Sequence, residues 1–330
     1  MSIRKCWYAS LSLLLFLPFW TSLQAQPEED HGFLNNAANK IIDHNNSLQP
    51  VFRDFDTLIQ KGNRTIHVLH IGDSHIQGGF FTNTVRHLLE NTLFLGSSGR
   101  GFIFPYVIAG TNSPWDYKIS YSGTWESCKN IQRNSGCSLG LSGISLTTRD
   151  SSTNIVINPN NGTFKYHTTI IKVFHQNDTA SYQVKLKKGV AAKTIRTPYS
   201  TEFILTAEVD TVKLEFLKTD TTQSHFTLHG ISLETDHPGM VYSAVGVNGA
   251  DVQAWLRSEL LSHHLKILQP SMITISLGAN DAYLKNFDRA EFKSNYRRLI
   301  RQLKAAVPGV AIILTTPGDG YRYKKYYNYN

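Results

Sequence analysis

The ten residues Ile66–His75, IHVLHIGDSH, decide the fold. Ile66 to Ile71 is a short run of apolar and β-branched residues that ends at Gly72, and it reads as a buried strand. Gly72 permits a tight turn there. Ser74 then stands at the C-terminal lip of a strand, which is where open α/β sheets hold their ligands. Taken alone, GDS is a weak signal, because a serine capping the next helix has the same sequence.

Outward from this stretch, residues 80–94 carry Val85, Leu88, Leu89 and Leu93 on one face of an expected helix. The same alternation resumes after Pro238. Met240–Ala244 reads as a strand, Ala250–Gln269 as one helix ended by Pro270, and Met272–Leu277 as a buried strand. Asp288 is the expected N-cap of a helix running to Val307, closed by Pro308 and Gly309, and Val310–Thr315 is a third strand of this part. Strands alternating with helices build a parallel sheet covered on both faces.

Between about Trp115 and Leu233 the pattern changes. Short runs rich in Val, Ile, Thr, Tyr and Phe follow one another, among them Ser145–Thr148, Asn154–Ile157, Thr168–Phe174, Ser181–Leu186, Glu202–Thr206 and Thr211–Leu217. Gly, Asn and Asp punctuate them, the signature of an all-β sandwich. The expected fold is therefore α/β, a three-layer flavodoxin-like parallel sheet interrupted by an inserted all-β sandwich. Residues 62–110 and 238–330 form the α/β part and 111–237 the insertion.

Two more loops follow strands of the α/β part. Gly246-Val247-Asn248-Gly249-Ala250-Asp251 lies between a strand and a helix, where glycine allows close approach and helix-start N–H groups meet developing negative charge. An ordinary tight loop would read the same. In Ser276-Leu277-Gly278-Ala279-Asn280-Asp281 the Asn280 amide can donate to an oxyanion, while Gly, Asn and Asp also simply favour turns. Asp73 and Asp281 are candidate orienting groups.

In this order, each after a strand, GDS followed by His, a glycine-containing second block and GAND resemble the first three signature blocks of the SGNH/GDSL hydrolases, over roughly residues 62–105 and 238–320. The resemblance implies Ser74 as nucleophile of an ester hydrolase. It also implies an oxyanion hole formed by the Ser74 N–H, the Gly249 N–H and the Asn280 amide. Gly99-Arg100-Gly101-Phe102, the GVNGAD form of the second block and the insertion narrow it further, to bacterial peptidoglycan O-acetylesterases with a carbohydrate-binding-module-like insert. The implied substrate is an acetylated glycan such as peptidoglycan. A lipase or thioesterase on the same frame, and a non-catalytic glycan binder using Trp115, Tyr117, Tyr121 and Trp125, are the alternatives.

The fourth block of the family, an Asp and a His three apart, does not occur. No histidine follows Asn280, and His263 and His264 are expected on the solvated face of their helix. The base is thus expected to be missing from what reads as a fragment, leaving the chain nearly inactive by itself. A tyrosine-rich tail, Tyr321 to Asn330, reads equally as a glycan-contacting loop and as a solvated one.

The first residues read as a secretory signal peptide over 1–25. Arg4 and Lys5 precede an apolar block, LSLLLFLPFW, and the cut is expected after Ala25. Its loss lowers the formal charge of +8 by the two of Arg4 and Lys5. The remaining balance is modest and lacks the dense basic runs of a nucleic-acid binder, so no nucleic-acid partner is expected. Residues 26–61 read as a lead-in helix and linker. No stable membrane span is expected once the leader is removed, and the destination is the periplasm or cell surface of a bacterium. Cys128 and Cys137, nine apart, are expected to close a disulfide loop. The sequence gives no reason to expect a metal or organic cofactor.

Overall fold

The computed structural model describes residues 39–327, apart from 93–94, 163–164, 188, 284–285, 318–319 and 323–324. The expected leader, the first part of the lead-in (26–38) and the end of the tail lie outside these residues. Helix α1 (Gln49–Lys61) precedes β1 (Thr65–Gly72), α2 (Ser74–Gln77) and α3 (Phe80–His87). The expected helix over 80–94 is shorter than that: α3 passes into a π-helical turn, Leu88–Thr92.

After β2 (Gly101–Ile103) the insertion follows as β3 (Lys118–Tyr121), β4 (Glu126–Lys129), β5 (Ile144–Thr148), β6 (Ser152–Asn158) and β7 (Thr168–His175). It continues through β8 (Gln183–Leu186), β9 (Ala191–Thr197), β10 (Ser200–Val209), β11 (Val212–Leu217) and β12 (Phe226–Glu234). The α/β part resumes with β13 (Gly239–Gly246), α4 (Val252–Leu256), α5 (Leu261–Leu268), β14 (Met272–Ser276), α6 (Ala279–Ala282), α7 (Arg289–Ala306) and β15 (Ala311–Leu314). Beyond it, Gly320–Arg322 and Lys325–Tyr327 pair antiparallel.

The parallel sheet runs in the order β13-β1-β14-β15. Its register aligns Gly72 with Gly246 on one side and with Ser276 on the other. The three loops singled out from the sequence therefore leave the sheet side by side.

The insertion consists of two antiparallel sheets, β4-β5-β12-β7-β10-β9 and β3-β6-β11-β8, and β2 also pairs with β12. The sheets meet through Phe216 of β11 and Phe226 of β12, whose rings lie 4.4 Å apart. β12 is buried at every position, with a register shift between Leu228 and Gly230. It holds both neighbours of a two-sided environment and shows little of the alternation that marks a half-buried strand. A Cβ at Gly230 would lie 2.0 Å from the Phe102 ring, which would have to move to admit it. One apolar core runs from Leu69 and Ile71 of β1 through Phe102 and Phe174 to Phe216 and Trp255. Cys128 and Cys137 are paired as a disulfide.

The expected single helix over 250–269 is two helices. α4 stops at Leu256, where Arg257 Nε donates to the Asn130 carbonyl (2.7 Å) and Leu260 N to the Leu139 carbonyl (2.9 Å). Backbone acceptors of the insertion thus take donors at the break. The expectation for His264 also fails: it is fully buried, its Nδ1 accepting from Leu141 N at 3.0 Å. Of the four aromatics considered for stacking, Tyr117 is buried and Trp125 packs edge-on against Phe216. Trp115 and Tyr121 are exposed.

Buried charge joins the two parts. Asp116, at the start of the insertion, accepts from Arg100 Nε at 2.5 Å and from Arg86 Nη1 of α3 at 3.4 Å. Burial by itself would raise the Asp116 carboxyl, but Arg100 and then Arg86 outweigh it and hold the group at about 2. Tyr166 of the insertion donates to Glu90 at 3.2 Å.

Two predictions follow from this packing. A Cβ at Gly246 would sit 2.3 Å from Gln77 N and 2.4 Å from the Asp73 carbonyl, whereas Gly249 (φ 80°) has open space around it. In urea unfolding, Gly246→Ala is expected to lose roughly 3 kcal/mol by forcing backbones apart. Gly249→Ala should lose only about 1 kcal/mol, the cost of the left-handed backbone. Equal losses would contradict the backbone contact.

The second concerns pH. Burial lowers His175 to about 4, His229 to about 3 and His264 well below 6.5. The His229 and His264 rings are 5.2 Å apart, and among the described residues neither nitrogen of His229 has a hydrogen-bond partner. The unfolded chain takes up these protons near 6.5 and the folded chain does not, so this contribution to stability is intact above 6.5 and is lost as the pH falls toward 4. The thermal midpoint should fall over that window, and His229→Leu should lessen the fall. An unchanged pH profile in the variant would exclude the histidine contribution.

Candidate active site

The first loop is held by its own polar groups. Asp73 caps α2, its carboxylate accepting from His75 N at 2.9 Å. The His75 ring, largely exposed, places Nδ1 3.0 Å from the same oxygen. A Cβ on Gly72 would meet Ile76 and the Ser276 carbonyl, so only glycine brings β1 and β14 this close at the turn. Ser74 is exposed, and among the described residues no acceptor meets its backbone N–H or hydroxyl.

The second loop is bound to the first through main chain. Val247 N donates to the Gly72 carbonyl at 3.3 Å, and Trp255 Nε1 of α4 donates to the same oxygen at 3.2 Å. Tyr106 hydroxyl donates to the Gly246 carbonyl at 3.0 Å. Gly249, with its positive φ, directs an N–H for which the described residues provide no acceptor.

The third loop closes the ring. Asn280 Nδ2 donates to the Ala250 carbonyl at 3.0 Å and to Asp73 Oδ2 at 3.3 Å. One side chain therefore bridges the second loop and the first. Its amide protons are both engaged, so donation to a new acceptor requires exchange of the longer bond, the one to Asp73. Asp281 lies almost buried and accepts from Val252 N, the first residue of α4, at 3.1 Å. Burial raises Asp281 to about 6, with the Val252 hydrogen bond opposing and the charges of Asp251 and Asp73 assisting.

The structure thus joins Asp73 and Ala250 through Asn280 and ties Asp281 to Val252, with Ser74 and Gly249 next in the chain to Asp73 and Ala250. An exposed hydroxyl, two unengaged backbone donors and one exchangeable amide stand on three loops that leave the sheet from aligned positions, groups of the kind that receive negative charge on a carbonyl oxygen.

Several further residues build the site. His70, buried on β1, is held near 4 by burial and bonds Tyr242 hydroxyl and Ser276 hydroxyl, each at 2.7 Å. Gln77 is buried behind the second loop. A glutamine three residues after the serine was the one available signal for it. Phe80 is 75% exposed. Its ring and the Ser74 carbonyl each lie 3.5 Å from where a Gly78 Cβ would sit. Among the described residues no cluster of His, Cys, Asp or Glu has the arrangement of a metal site.

Residues 220–330 match the model of the GDSL-like lipase/acylhydrolase family. Among solved structures, a peptidoglycan O-acetylesterase superposes with a TM-score of 0.60 at 20% identity, covering 80% of this chain and 71% of its own. The Bacillus subtilis protein YXIM gives 0.25 at 15% identity, covering 59% and 64%. A family two carbohydrate esterase from Cellvibrio japonicus gives 0.22 at 13% identity, covering 63% and 82%. The last two scores are too low to bear on the fold. No curated protein matches the sequence. Over its last third, then, the chain matches the GDSL-like lipase/acylhydrolase family, and its fold is that of an SGNH/GDSL hydrolase resembling the peptidoglycan O-acetylesterases, α/β with an inserted β part.

Proposed function

We propose that the protein is an exported serine esterase that removes O-acetyl groups from a cell-wall or other glycan through an acyl-enzyme on Ser74. The observation that carries this proposal is the convergence on Asn280, whose amide bridges Asp73, beside the candidate nucleophile, and Ala250, beside Gly249. The family match supports ester hydrolysis, and the fold of a peptidoglycan O-acetylesterase supports an acetylated glycan as substrate.

In this mechanism Ser74 Oγ attacks the acetyl carbonyl carbon and the carbonyl oxygen takes the negative charge. The N–H groups of Ser74 and Gly249 receive it, with Asn280 turning its second amide proton from Asp73. Asp73 and Asp281 hold the loops in place. The sugar oxygen leaves with a proton, and water then releases acetate from the serine ester. The exposed rings of Phe80, next to the Ser74 turn, and of Trp115 at the start of the insertion suit the apolar face of a sugar.

A serine at its ordinary pKa is a poor nucleophile and needs a base. His75 is turned onto Asp73, and the proposal assigns the base to a DxxH segment that these 330 residues do not contain. With the oxyanion donors and binding alone, about 1000- to 10,000-fold catalysis over water is expected, far below that of a complete triad. The leader-like first residues support export to the periplasm or the cell surface. No helix of the described residues is long and apolar enough to cross a membrane.

The defining test is acetate release from O-acetylated peptidoglycan and acetylated xylan, by the chain alone and joined to a DxxH-bearing segment. Release is expected to be slow from the first, at least tenfold faster from the second, and lost in Ser74→Ala. Asn280→Ala should lower turnover about 100- to 1000-fold. No release from any acetylated glycan would remove the proposal. A preference for octanoyl over acetyl p-nitrophenyl esters would instead indicate a lipase or thioesterase.

A further inference from the structure

Behind the second loop lies a web of carboxamides that the mechanism above leaves unused. Gln77, the last residue of α2, is 1% exposed. Its Oε1 accepts from Asn248 N at 2.8 Å. Its Nε2 donates to the Asn112 carbonyl (2.8 Å), to Asn112 Oδ1 (3.0 Å) and to Thr111 Oγ1 (3.0 Å). The Asn248 side chain meets the same pair, its Nδ2 donating to Asn112 Oδ1 (2.5 Å) and Thr111 Oγ1 (3.1 Å). Thr111 and Asn112 are the first residues of the segment that leads into the insertion.

The orientation of the Gln77 carboxamide is not interchangeable. One end faces a backbone N–H, which can only donate, and the other a backbone carbonyl, which can only accept. Glutamine satisfies both. Glutamate would keep the first bond and set a carboxylate against the Asn112 carbonyl, and methionine would keep neither.

We infer that Gln77 is a positioning residue that fixes the direction of the Gly249 N–H, and that Thr111 and Asn112 make the entry of the insertion part of the same clamp. The inference rests on the esterase reading above, in which Gly249 is an oxyanion donor. The physical route is short. The Asn248 N–H is anchored by Gln77, and its side chain is anchored by Thr111 and Asn112. Asn248 is thus held at backbone and side chain, which fixes the peptide that carries the Gly249 N–H. A glutamine on the nucleophile's own turn keeps that donor at a set distance from Ser74. A ligand that moved the entry of the insertion would act on the donor through Asn112.

Two readouts test it on the whole chain. Hydrogen exchange at the Asn248 amide is expected to accelerate about tenfold in Gln77→Met, the loss of one net hydrogen bond, with strand amides of 240–245 unchanged. Gln77→Glu should stay near the parent, because it keeps the acceptor for that amide. For p-nitrophenyl acetate, kcat should fall about 10- to 100-fold in Gln77→Met with KM within twofold, as expected for a donor aimed at the transition state. Unchanged Asn248 exchange in a folded Gln77→Met overturns the clamp. So does exchange that rises equally in the Met and Glu variants. Faster exchange with unchanged kcat, in a chain that Ser74→Ala inactivates, overturns the positioning role. If the chain joined to a DxxH-bearing segment hydrolyses no more than its Ser74→Ala form, the esterase reading fails and the clamp is decided by exchange alone. Should Gln77→Met not fold, Gln77→Ala decides: it too removes the acceptor of the Asn248 amide, and unaltered Asn248 exchange in it overturns the proposal.

Discussion

Everything in the candidate site depends on backbone meeting backbone at the ends of neighbouring parallel strands. Gly72, Gly246 and Ser276 stand in register, and at Gly246 the chain passes so close to Asp73 and Gln77 that a single methyl group would not fit. Loops that leave a sheet from aligned positions have no choice but to be neighbours. Once they are, short side chains suffice to bridge them, which is why Asn280 can reach both Asp73 and Ala250. A one-residue slip of any strand would turn the side chains onto opposite faces and break up the site.

The parts of this arrangement that are local in the chain were readable from the sequence. A run such as IHVLHI ending in Gly72 states its strand and its turn within ten residues, and Asp288 announces α7 by its type and place, its carboxylate accepting from Ala290 N and Glu291 N. What depends on distant partners was not readable. Residues 250–269 have the pattern of one helix, but the helix breaks where Leu260 N finds the carbonyl of Leu139, more than a hundred residues away. His264 looks like a surface histidine until Leu141, Phe174 and His229 are seen to enclose it. β12 was hard to see because it is buried throughout and its register shifts midway.

The candidate site divides in the same way. Ser74, Gly249 and Asn280 are visible as turn residues after strands, whereas the double engagement of the Asn280 amide and the role of Gln77 exist only in three dimensions. A carboxamide at position 77 carries no sequence signal of its bond to residue 248, because nothing local requires it. The histidines illustrate the converse. His70, His175, His229 and His264 are titratable side chains, yet burial lowers their pKa values and favours the neutral ring. Their service is to packing.

The carboxylate of Asp116 belongs to the insertion, and the two guanidiniums it neutralises belong to the α/β frame. Were Asp116 replaced by a neutral residue, Arg86 and Arg100 would remain buried with too little counter-charge, a state far costlier than either charged partner in water. Frame and insertion are therefore not tradable cassettes. Recombination that exchanged one β part for another would have to bring an acid to this spot or replace both arginines together, so the two halves are bound to change in concert.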